Sequence, residues 1–208
     1  MPQGRILVSY SPVEGVAVLN MSRVVGIDGS EADSLNEGEI KAQLQLVAIV
    51  DFLKTFVPAF KDSYLMMSAC SLGIRETRRL AGVETLKGGD VITAKQIENP
   101  VARGSYIIDI HDPKGKSMAI GGAIKGDFYD IPYGAIVSQN RSNLLACGRC
   151  ISADHVAHSS SRIQGTCVMT GQAAGTAAAM CAGNNISPKD LSEVCLKQKL
   201  IDDGVYLN

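Results

Sequence analysis

The sequence lacks an excess of charge of either sign. Its 20 Lys and Arg residues almost balance its 21 Asp and Glu residues, so the formal net charge at pH 7 is −1. It also lacks any cluster of basic side chains with aromatic residues between them. Because proteins bind nucleic acids largely by neutralising phosphates, these absences argue against a nucleic-acid partner.

A secretory signal is also lacking. The opening MPQGRILVSYSP has neither an apolar core nor a small-residue cleavage site, which predicts a cytoplasmic protein whose thiols stay reduced. No repeat, low-complexity tract or flexible linker interrupts the 208 residues, a length that suits one large domain or two small ones.

One segment imitates a membrane span. Residues 163–183 carry no charge, and Gly171 and Gly175 stand four apart, as in transmembrane dimer motifs. The run consists mainly of Ala, Gly and Thr, which enter lipid much less favourably than Leu-rich spans do. We therefore predict a buried helix of small residues and no membrane span.

Six cysteines are present, unevenly spaced, and several lie in apolar segments such as LMMSACSLGI and AAAMCAG. Free cysteine commonly behaves as a small buried hydrophobic residue. We expect at least four of the six to be structural.

The N-terminal half carries clear local signals. Two β-rich runs, residues 6–10 and 16–21, flank a Pro/Gly turn and predict an antiparallel hairpin. A long helix should follow, capped by Ser34 or Asn36 and ended by Pro58. Its apolar second half should be buried, through Leu46, Val47, Ile49, Val50, Leu53 and Phe56. The next run, YLMMSACSLGI, predicts a strand that leads into GIRETRRL, whose arginines would share one helical turn.

The C-terminal half alternates short strands with helices. The segment GSYIIDIHDP predicts a strand that ends at a turn, and GKSMAIGGAIKGDFYDIPYGAIV predicts short strands and turns. The run NLLAC, residues 143–147, predicts a compact buried strand. An amphipathic helix should close the chain, with Ser187 as its cap, Pro188 in its first position and Gly204 at its end.

The stretch NLLACGRCISADHVAHSSSRIQGTC, residues 143–167, permits three chemistries. Cys147, Cys150, His155 and His158 are zinc-ligand types, but the two pairs stand closer together than in structural zinc sites. Cys147 and Cys150 also form a C-x-x-C pair, as in dithiol redox centres. Such centres normally open a helix, whereas a loop rich in Ser, His and Asp follows here.

The third interpretation is a surface on which a large cofactor lies, and it accounts for more of these residues. Gly148 lets the backbone approach a ligand closely, and small residues around Gly165 leave room beside the start of a helix. The N–H groups and dipole of that helix favour anionic or electron-rich groups. We favour this interpretation, with the other two left open.

A longer block carries a resemblance. The segment IPYGAIVSQNRSNLLACGRCISADHVAHSSSRIQGTCVMTGQAAGTAAA resembles the C-terminal flavin-contacting region of bacterial FAD-dependent oxidoreductases related to fumarate reductase and succinate dehydrogenase flavoproteins. Upstream, NMSRVVGIDG, GIRETRRLAG, DVI and ARGSYIIDIHDP match the same group in the same order, so the resemblance covers nearly the whole chain. This group usually has Ala at Cys147 and Pro at Ser138 and Gly165, which would make the C-x-x-C incidental.

The resemblance implies an α/β fold class, with this sequence as a mixed α+β fragment of it. A substrate-side β-sheet with helices would occupy residues 1–130, and the last strand and helix of a Rossmann-like FAD domain would occupy residues 131–183. A C-terminal helix and tail would fill residues 184–208. The implied activity is hydride transfer between a small organic substrate and flavin N5.

The resemblance also implies site residues. Gly148 and Arg149 would lie along the ribityl-phosphate part of FAD, and the helix from Thr166 would point its N-terminus at the pyrimidine edge of the isoalloxazine. The implied FAD contacts are Gly148, Arg149, Cys150, Ile151, Ser152, Arg162, Thr166, Cys167, Gly171 and Gln172. No metal is implied.

Three residues are candidates for catalysis. Arg75 could hold a substrate carboxylate, although arginines in such runs also solvate surfaces. His111, at a strand end, could exchange a proton or simply bond neighbouring aspartates. His155 ranks above His158 as a cleft residue.

The G-x-G-x-x-G fingerprint, which holds the FAD pyrophosphate in this group, does not occur in the sequence. The sequence thus corresponds to the C-terminal half of the group, and a separate N-terminal FAD-binding half is one partner to expect. We expect weak or no FAD binding by this chain alone and, because a bare strand edge invites association, self-association. The competing hypothesis is a non-catalytic fragment or subunit.

Overall fold

The structure, a computed structural model, describes residues 7–111 and 118–207. These residues form a mixed α+β protein. The strands are β1 (Leu7–Tyr10), β2 (Ala17–Asn20), β3 (Pro100–Gly104), β4 (Ile108–His111), β5 (Met118–Gly122) and β6 (Tyr129–Pro132). The helices are α1 (Ala32–Phe56), α2 (Gly88–Ile92), α3 (His155–Ser161), α4 (Gln164–Asn184) and α5 (Glu193–Asp202).

The strands pair as three two-stranded sheets, β1 with β2, β3 with β6, and β4 with β5. The chain divides into two compact units. The first comprises Met1–Thr77 and His111–Ala119, and the second comprises Arg78–Ile110 and Ile120–Asn208. Among the described residues, no helix has the length and apolar character to cross a membrane.

The first unit contains the predicted hairpin and the predicted long helix. β1 and β2 are antiparallel, with Leu7 opposite Asn20 and Tyr10 opposite Ala17. Helix α1 ends at Phe56, two residues before Pro58, which confirms the predicted end. Its predicted caps are wrong, because Glu31 precedes the helix without a side-chain cap.

The second half of α1 is much less buried than its composition predicts. Only Ile49 and Leu53 of this half are buried, and they pack with Met21 to form a small core. Val47 is 62% exposed and Phe56 is 69% exposed. An apolar helix face needs a partner surface, and the described part of the first unit covers only one narrow stripe of α1.

The segment that follows α1 also differs from prediction. Residues 64–74 form no strand, and residues 75–80 form no helix. Met66 and Met67 are 63% and 81% exposed. A strand is stable only when a neighbour pairs with it, and no strand of the described residues pairs with this one.

The second unit contains most of the buried core. β3 and β6 pair in antiparallel fashion, with Gly104 opposite Tyr129, and α4 and α5 pack against β3. Arg103 and Asp130 face each other across the sheet with Nε and Oδ1 2.9 Å apart. Asp130 also accepts the N–H of Ile97 through Oδ2 at 3.0 Å, so both oxygens of this buried carboxylate are satisfied.

Helix α4 confirms the predicted buried helix of small residues. One stripe of it is buried and packs on the sheet, and this stripe consists of Thr166, Thr170, Ala173, Ala174, Ala177 and Cys181. Small side chains let the helix backbone approach β3 closely. The opposite stripe, which includes Gly165, Val168 and Gln172, is exposed.

The prediction of a buried strand at NLLAC is wrong. Residues 143–147 have no strand, and their one ladder contact is an isolated antiparallel bridge between Val137 and Leu145. Leu144 is 45% exposed. The bonds of Ser138 N–H to Leu144 O and of Ala146 N–H to Ile136 O attach the segment on one side only.

The closing helix starts later than predicted. Ser187 caps only a short 3₁₀ turn, Pro188–Asp190, by accepting the N–H of Lys189. Ser192 then caps α5 by accepting the N–H of Cys195. Gly204, at φ +87°, follows the helix as predicted.

Candidate functional site

The centre of the candidate site is a tight turn that lies against α4. Gly148–Cys150 form one 3₁₀ turn, in which the N–H of Cys150 donates to the carbonyl of Cys147 at 3.4 Å. Gly148 has φ +66°, a backbone conformation that costs little only for glycine. Its N–H donates to Oγ1 of Thr170 at 3.0 Å, which fixes the turn to the second turn of α4.

Helix α3 also contacts this turn. Nε2 of the buried His158 lies 3.0 Å from the carbonyl oxygen of Arg149. Asp154 caps α3 by accepting the N–H of Ala157 at 2.8 Å, and its second carboxylate oxygen accepts the N–H of Gly88 at 2.8 Å. The carboxylate therefore positions α3 relative to α2.

The segment between the turn and α3 runs through the core. Ser152 donates its N–H to the carbonyl of Ala135 at 2.8 Å and accepts the N–H of Leu86 at 3.0 Å. Its hydroxyl lies 3.0 Å from that of Thr85. Ile151 is fully buried beside it. These two residues pack in the core next to the turn. Only a small fraction of the Ser152 surface is exposed to solvent.

The N-terminus of α4 is open. Ile163 precedes the helix and supplies no side-chain cap. The N–H of Cys167 is the first to bond inside the helix, to the carbonyl of Ile163 at 2.9 Å. The three preceding N–H groups, of residues 164–166, therefore have no intrahelical acceptor. A side chain at Gly165 would meet no described atom within 4 Å, so this end of α4 faces free space.

Two arginines flank the open helix end. Arg149 donates through Nε to the carbonyl of Arg162 at 3.3 Å. Arg162 donates in turn to the carbonyl of Asp109 at 2.9 Å, and its guanidinium lies 3.9 Å from the Asp109 carboxylate. The charge of Arg162 is paired with Asp109, and the guanidinium of Arg149 lies near the unbonded N–H groups at the start of α4, an arrangement that suits an anionic or electron-rich ligand.

A thiol completes the site. Cys167, in the first turn of α4, directs Sγ at the carbonyl of Arg162 at 3.4 Å. Burial raises the pKa of the Cys167 thiol, and the nearby thiols of Cys147 and Cys150 raise it further, while Arg149 lowers it. Cys167 is consequently a thiol at neutral pH.

Comparison with protein families decides the assignment. The family model described as FAD dependent oxidoreductase matches residues 5–200. The chain belongs to the FAD-dependent oxidoreductase family. No curated protein and no solved structure matches it significantly. FAD is the cofactor that membership of this family implies for the complete protein.

In this FAD-dependent oxidoreductase, the site offers hydrogen-bond donors and space that suit a flavin. The open end of α4 offers N–H donors, and the missing side chain at Gly165 leaves the space beside them clear. A flavin ring carries electron-rich carbonyl and nitrogen edges that accept such hydrogen bonds. Of the predicted FAD contacts, the structure gathers Gly148, Arg149, Cys150, Arg162, Thr166 and Cys167 around the turn and the start of α4.

Not every predicted FAD contact is accessible in this chain. Thr166 and Ser152 are 3% exposed and Ile151 is fully buried, so these three would support the site by packing. Gly171 is half-buried one turn beyond Cys167, and Gln172 lies on the exposed stripe of α4.

The three candidate catalytic residues fall in different places. His155 is exposed in the first position of α3 in the second unit. Arg75 is exposed in the irregular segment of the first unit. His111 ends β4, and its side chain lies outside the described part of the structure. Asp112 and Pro113, the predicted turn after it, lie outside the described residues as well.

The expectation of mostly buried cysteines is wrong. Only Cys181 is buried, Cys167 is half-buried, and Cys70, Cys147, Cys150 and Cys195 are exposed. Within residues 7–111 and 118–207, no group of three or more His, Cys, Asp or Glu side chains is arranged to hold a metal ion.

Sequence reasoning missed Asp154 and underrated His158. An Asp directly before a helical run is a standard N-cap signal, so Asp154 could have been recognised from ADHVAH. The contact of His158 with the Arg149 carbonyl had no such signal, because it depends on how α3 packs against the turn.

Proposed function

We propose that this chain provides the flavin-contacting and substrate-side parts of an oxidoreductase in which hydride passes between a small organic substrate and flavin N5. The proposal includes a Rossmann-like FAD domain and a relationship to the fumarate reductase and succinate dehydrogenase flavoproteins. The observation that carries it is the open, glycine-bearing N-terminus of α4 beside Arg149 and Arg162. When bound, FAD would supply the hydride acceptor or donor.

The chain's own residues have separable roles in this proposal. The N–H groups at the start of α4 would bind the flavin edge on which negative charge gathers during reduction, and they need no rearrangement to do so. Gly148 and Arg149 would line the ribityl-phosphate part, with Thr170 and His158 as positioning residues that hold the turn in place.

In this proposal, the three candidate catalytic residues contact the substrate. Arg75 would orient a carboxylate or polarise a carbonyl of the substrate, because a guanidinium can donate two parallel hydrogen bonds to such a group. His111 and His155 would exchange protons with it. Exposure of Arg75 and His155 supports their access to a small molecule.

A carboxylate placed at the helix start tests the flavin site. In Gly165→Asp the new side chain meets open space, so the fold should tolerate it, but its charge should repel the flavin edge. In a titration of the wild type, we expect FAD to quench the intrinsic fluorescence of the protein weakly and saturably. Its affinity should fall about two- to fivefold in Gly165→Asp, which corresponds to the usual helix-dipole contribution.

Gly183→Asp is the matched control, since a side chain there also meets open space, at the other end of α4. It should bind FAD as the wild type does. Equal weakening in both variants would contradict the proposed position of the flavin.

The alternative is a non-catalytic fragment or subunit that needs a separate nucleotide-binding half. The lack of a G-x-G-x-x-G pattern favours it. No saturable quenching by FAD at any concentration would support this alternative. A yellow protein that keeps stoichiometric FAD through gel filtration would exclude it.

The proposal also includes a protein partner and a cellular compartment. The exposed apolar side chains of α1, among them Leu44, Val47 and Phe56, support association with a nucleotide-binding half or a second copy. Four exposed, unpaired cysteines support a reducing compartment, the cytoplasm.

A further inference from the structure

Cys147 and Cys150 form an exposed thiol pair, and the proposed flavin site assigns no chemistry to either thiol. Both side chains are exposed, and the tight turn Gly148–Cys150 brings their backbones together. The closing hydrogen bond, from Cys150 N–H to the Cys147 carbonyl, measures 3.4 Å.

The turn geometry suits a disulfide. A four-residue turn of this kind keeps its first and last Cα atoms within about 7 Å. Disulfides join Cα atoms that lie about 4.4–6.8 Å apart. The Cα separation that such a turn allows therefore overlaps the range of disulfides, while the bond from Gly148 N–H to Thr170 keeps the turn on α4.

The third thiol of the region differs from this pair. Cys167 is half-buried and points Sγ at the Arg162 carbonyl at 3.4 Å. The Cβ that Gly148 lacks would lie 3.8 Å from Cys167 Sγ, so the thiol lies directly below the turn. Burial raises the pKa of the Cys167 thiol, and its S–H is directed at a carbonyl, so Cys167 is a poor nucleophile.

We propose that Cys147 and Cys150 are a redox-active dithiol that exchanges with low-molecular-weight disulfides. The thiolate of one cysteine attacks a sulfur of the small disulfide, which forms a mixed disulfide and releases one small thiolate. The thiolate of the second cysteine then attacks the protein sulfur of the mixed disulfide, which joins Cys147 to Cys150 and releases the second small thiolate.

The exchange is balanced. The protein dithiol is oxidised by two electrons, the small disulfide is reduced to two thiols, and the two protons of the dithiol go to them. The proposal needs no flavin, so it stands or falls separately from the proposed function. It runs against the resemblance, in which the Cys147 position usually carries Ala and the pair would be incidental.

Oxidised glutathione is the probe that tests the pair. The reduced chain is incubated with it, quenched in acid, alkylated and digested with trypsin. Cleavage after Arg141, Arg149 and Arg162 puts Cys147, Cys150 and Cys167 on three different peptides. We expect the peptide of residues 142–149 to become linked to that of residues 150–162, and two of the six thiols to be lost to alkylation. Dithiothreitol should reverse both changes.

Variants separate the pair from other thiols. In Cys147→Ser the second step cannot occur, so the mixed disulfide of Cys150 with glutathione should accumulate. Cys70→Ser and Cys195→Ser remove cysteines that are also exposed but have no second cysteine within three residues in the sequence, and they should leave the linked peptide unchanged.

Three outcomes would overturn the proposal. The first is the absence of the linked peptide, and the second is a link from Cys150 to the Cys167 peptide instead. The third is glutathione on Cys70 and Cys195 to the same extent as on Cys150 in Cys147→Ser, which would show ordinary surface thiols.

Discussion

At the scale of single residues, Tyr129 shows how burial sets chemistry in this protein. Its ring is fully buried in the second unit, and its hydroxyl lies 2.9 Å from Ser160 Oγ. Ser160 donates its own proton to the carbonyl of Tyr106 at 2.6 Å, so the Tyr129 hydroxyl must be the donor in their bond. A side chain at Gly104 would lie 2.3 Å from the Tyr129 ring, which explains the glycine opposite it.

The titration of Tyr129 gives a prediction for alkaline pH. Burial raises the pKa of Tyr129 from 10.0 to about 12. The folded state therefore holds the proton more tightly than the unfolded state. The resulting stabilisation is complete below pH 10 and is lost as the pH rises from 10 to 12, by up to about 2–3 kcal/mol in the free energy of unfolding.

The variant Tyr129→Phe removes this dependence. Urea unfolding at pH 8, 10 and 11.5 should show a cost of about 1 kcal/mol at pH 8, from the lost hydrogen bond, and a flatter decline above pH 10 than in the wild type. Tyr10→Phe is the control, since its side chain is 99% exposed. The same slope in Tyr129→Phe and the wild type would refute the prediction.

At the scale of elements, α4 combines two functions in its two stripes. The buried stripe packs on β3 through Ala and Thr, and the exposed stripe carries Gly165 and Gln172 at the candidate flavin site. Large residues on the buried stripe would push the helix from the sheet, because protein cores have little free volume.

A pair of neighbouring alanines tests this packing. Ala177 is fully buried, whereas Ala178, the next residue, is exposed. Ala177→Leu should lower the free energy of unfolding by about 1–3 kcal/mol through overpacking. Ala178→Leu should change it by less than about 0.5 kcal/mol. Urea denaturation followed by circular dichroism measures both, and equal shifts would contradict the assigned helix faces.

At the scale of the whole molecule, the two units differ in how much apolar surface they bury. The buried cluster of the first unit consists of Met21, Ile49 and Leu53. The cluster of the second unit draws on α2, α3, α4, α5 and the β3–β6 sheet. Local opening is easiest where few buried contacts must be broken.

Hydrogen exchange should therefore distinguish the units. Amides in the middle of α1, residues 44–53, should exchange much faster than those of α4, residues 170–181, although both are long helices. Peptide-resolved mass spectrometry, normalised to the unfolded chain, measures this difference. Equal protection in the two helices would mean that another surface covers α1 in solution, as self-association would do.

The sequence by itself determined the elements that depend on local signals. The hairpin, the end of α1 before Pro58, the strand before His111 and the uninterrupted run of α4 all follow from turn residues, proline and patterning, which act within a few residues. The resemblance to FAD-dependent oxidoreductases was also apparent from the sequence, and the family match agrees with it.

Only the tertiary structure decided what is buried and which groups meet. The run NLLAC looks like a core strand, but it pairs on one side only, and α1 looks buried while the described first unit covers one stripe. The contact of His158 with Arg149 and the bond of Gly148 to Thr170 join residues 9 and 22 positions apart. Burial and such pairings depend on which surfaces the folded chain brings together, and that is set by the packing of whole elements, which no short stretch of sequence encodes.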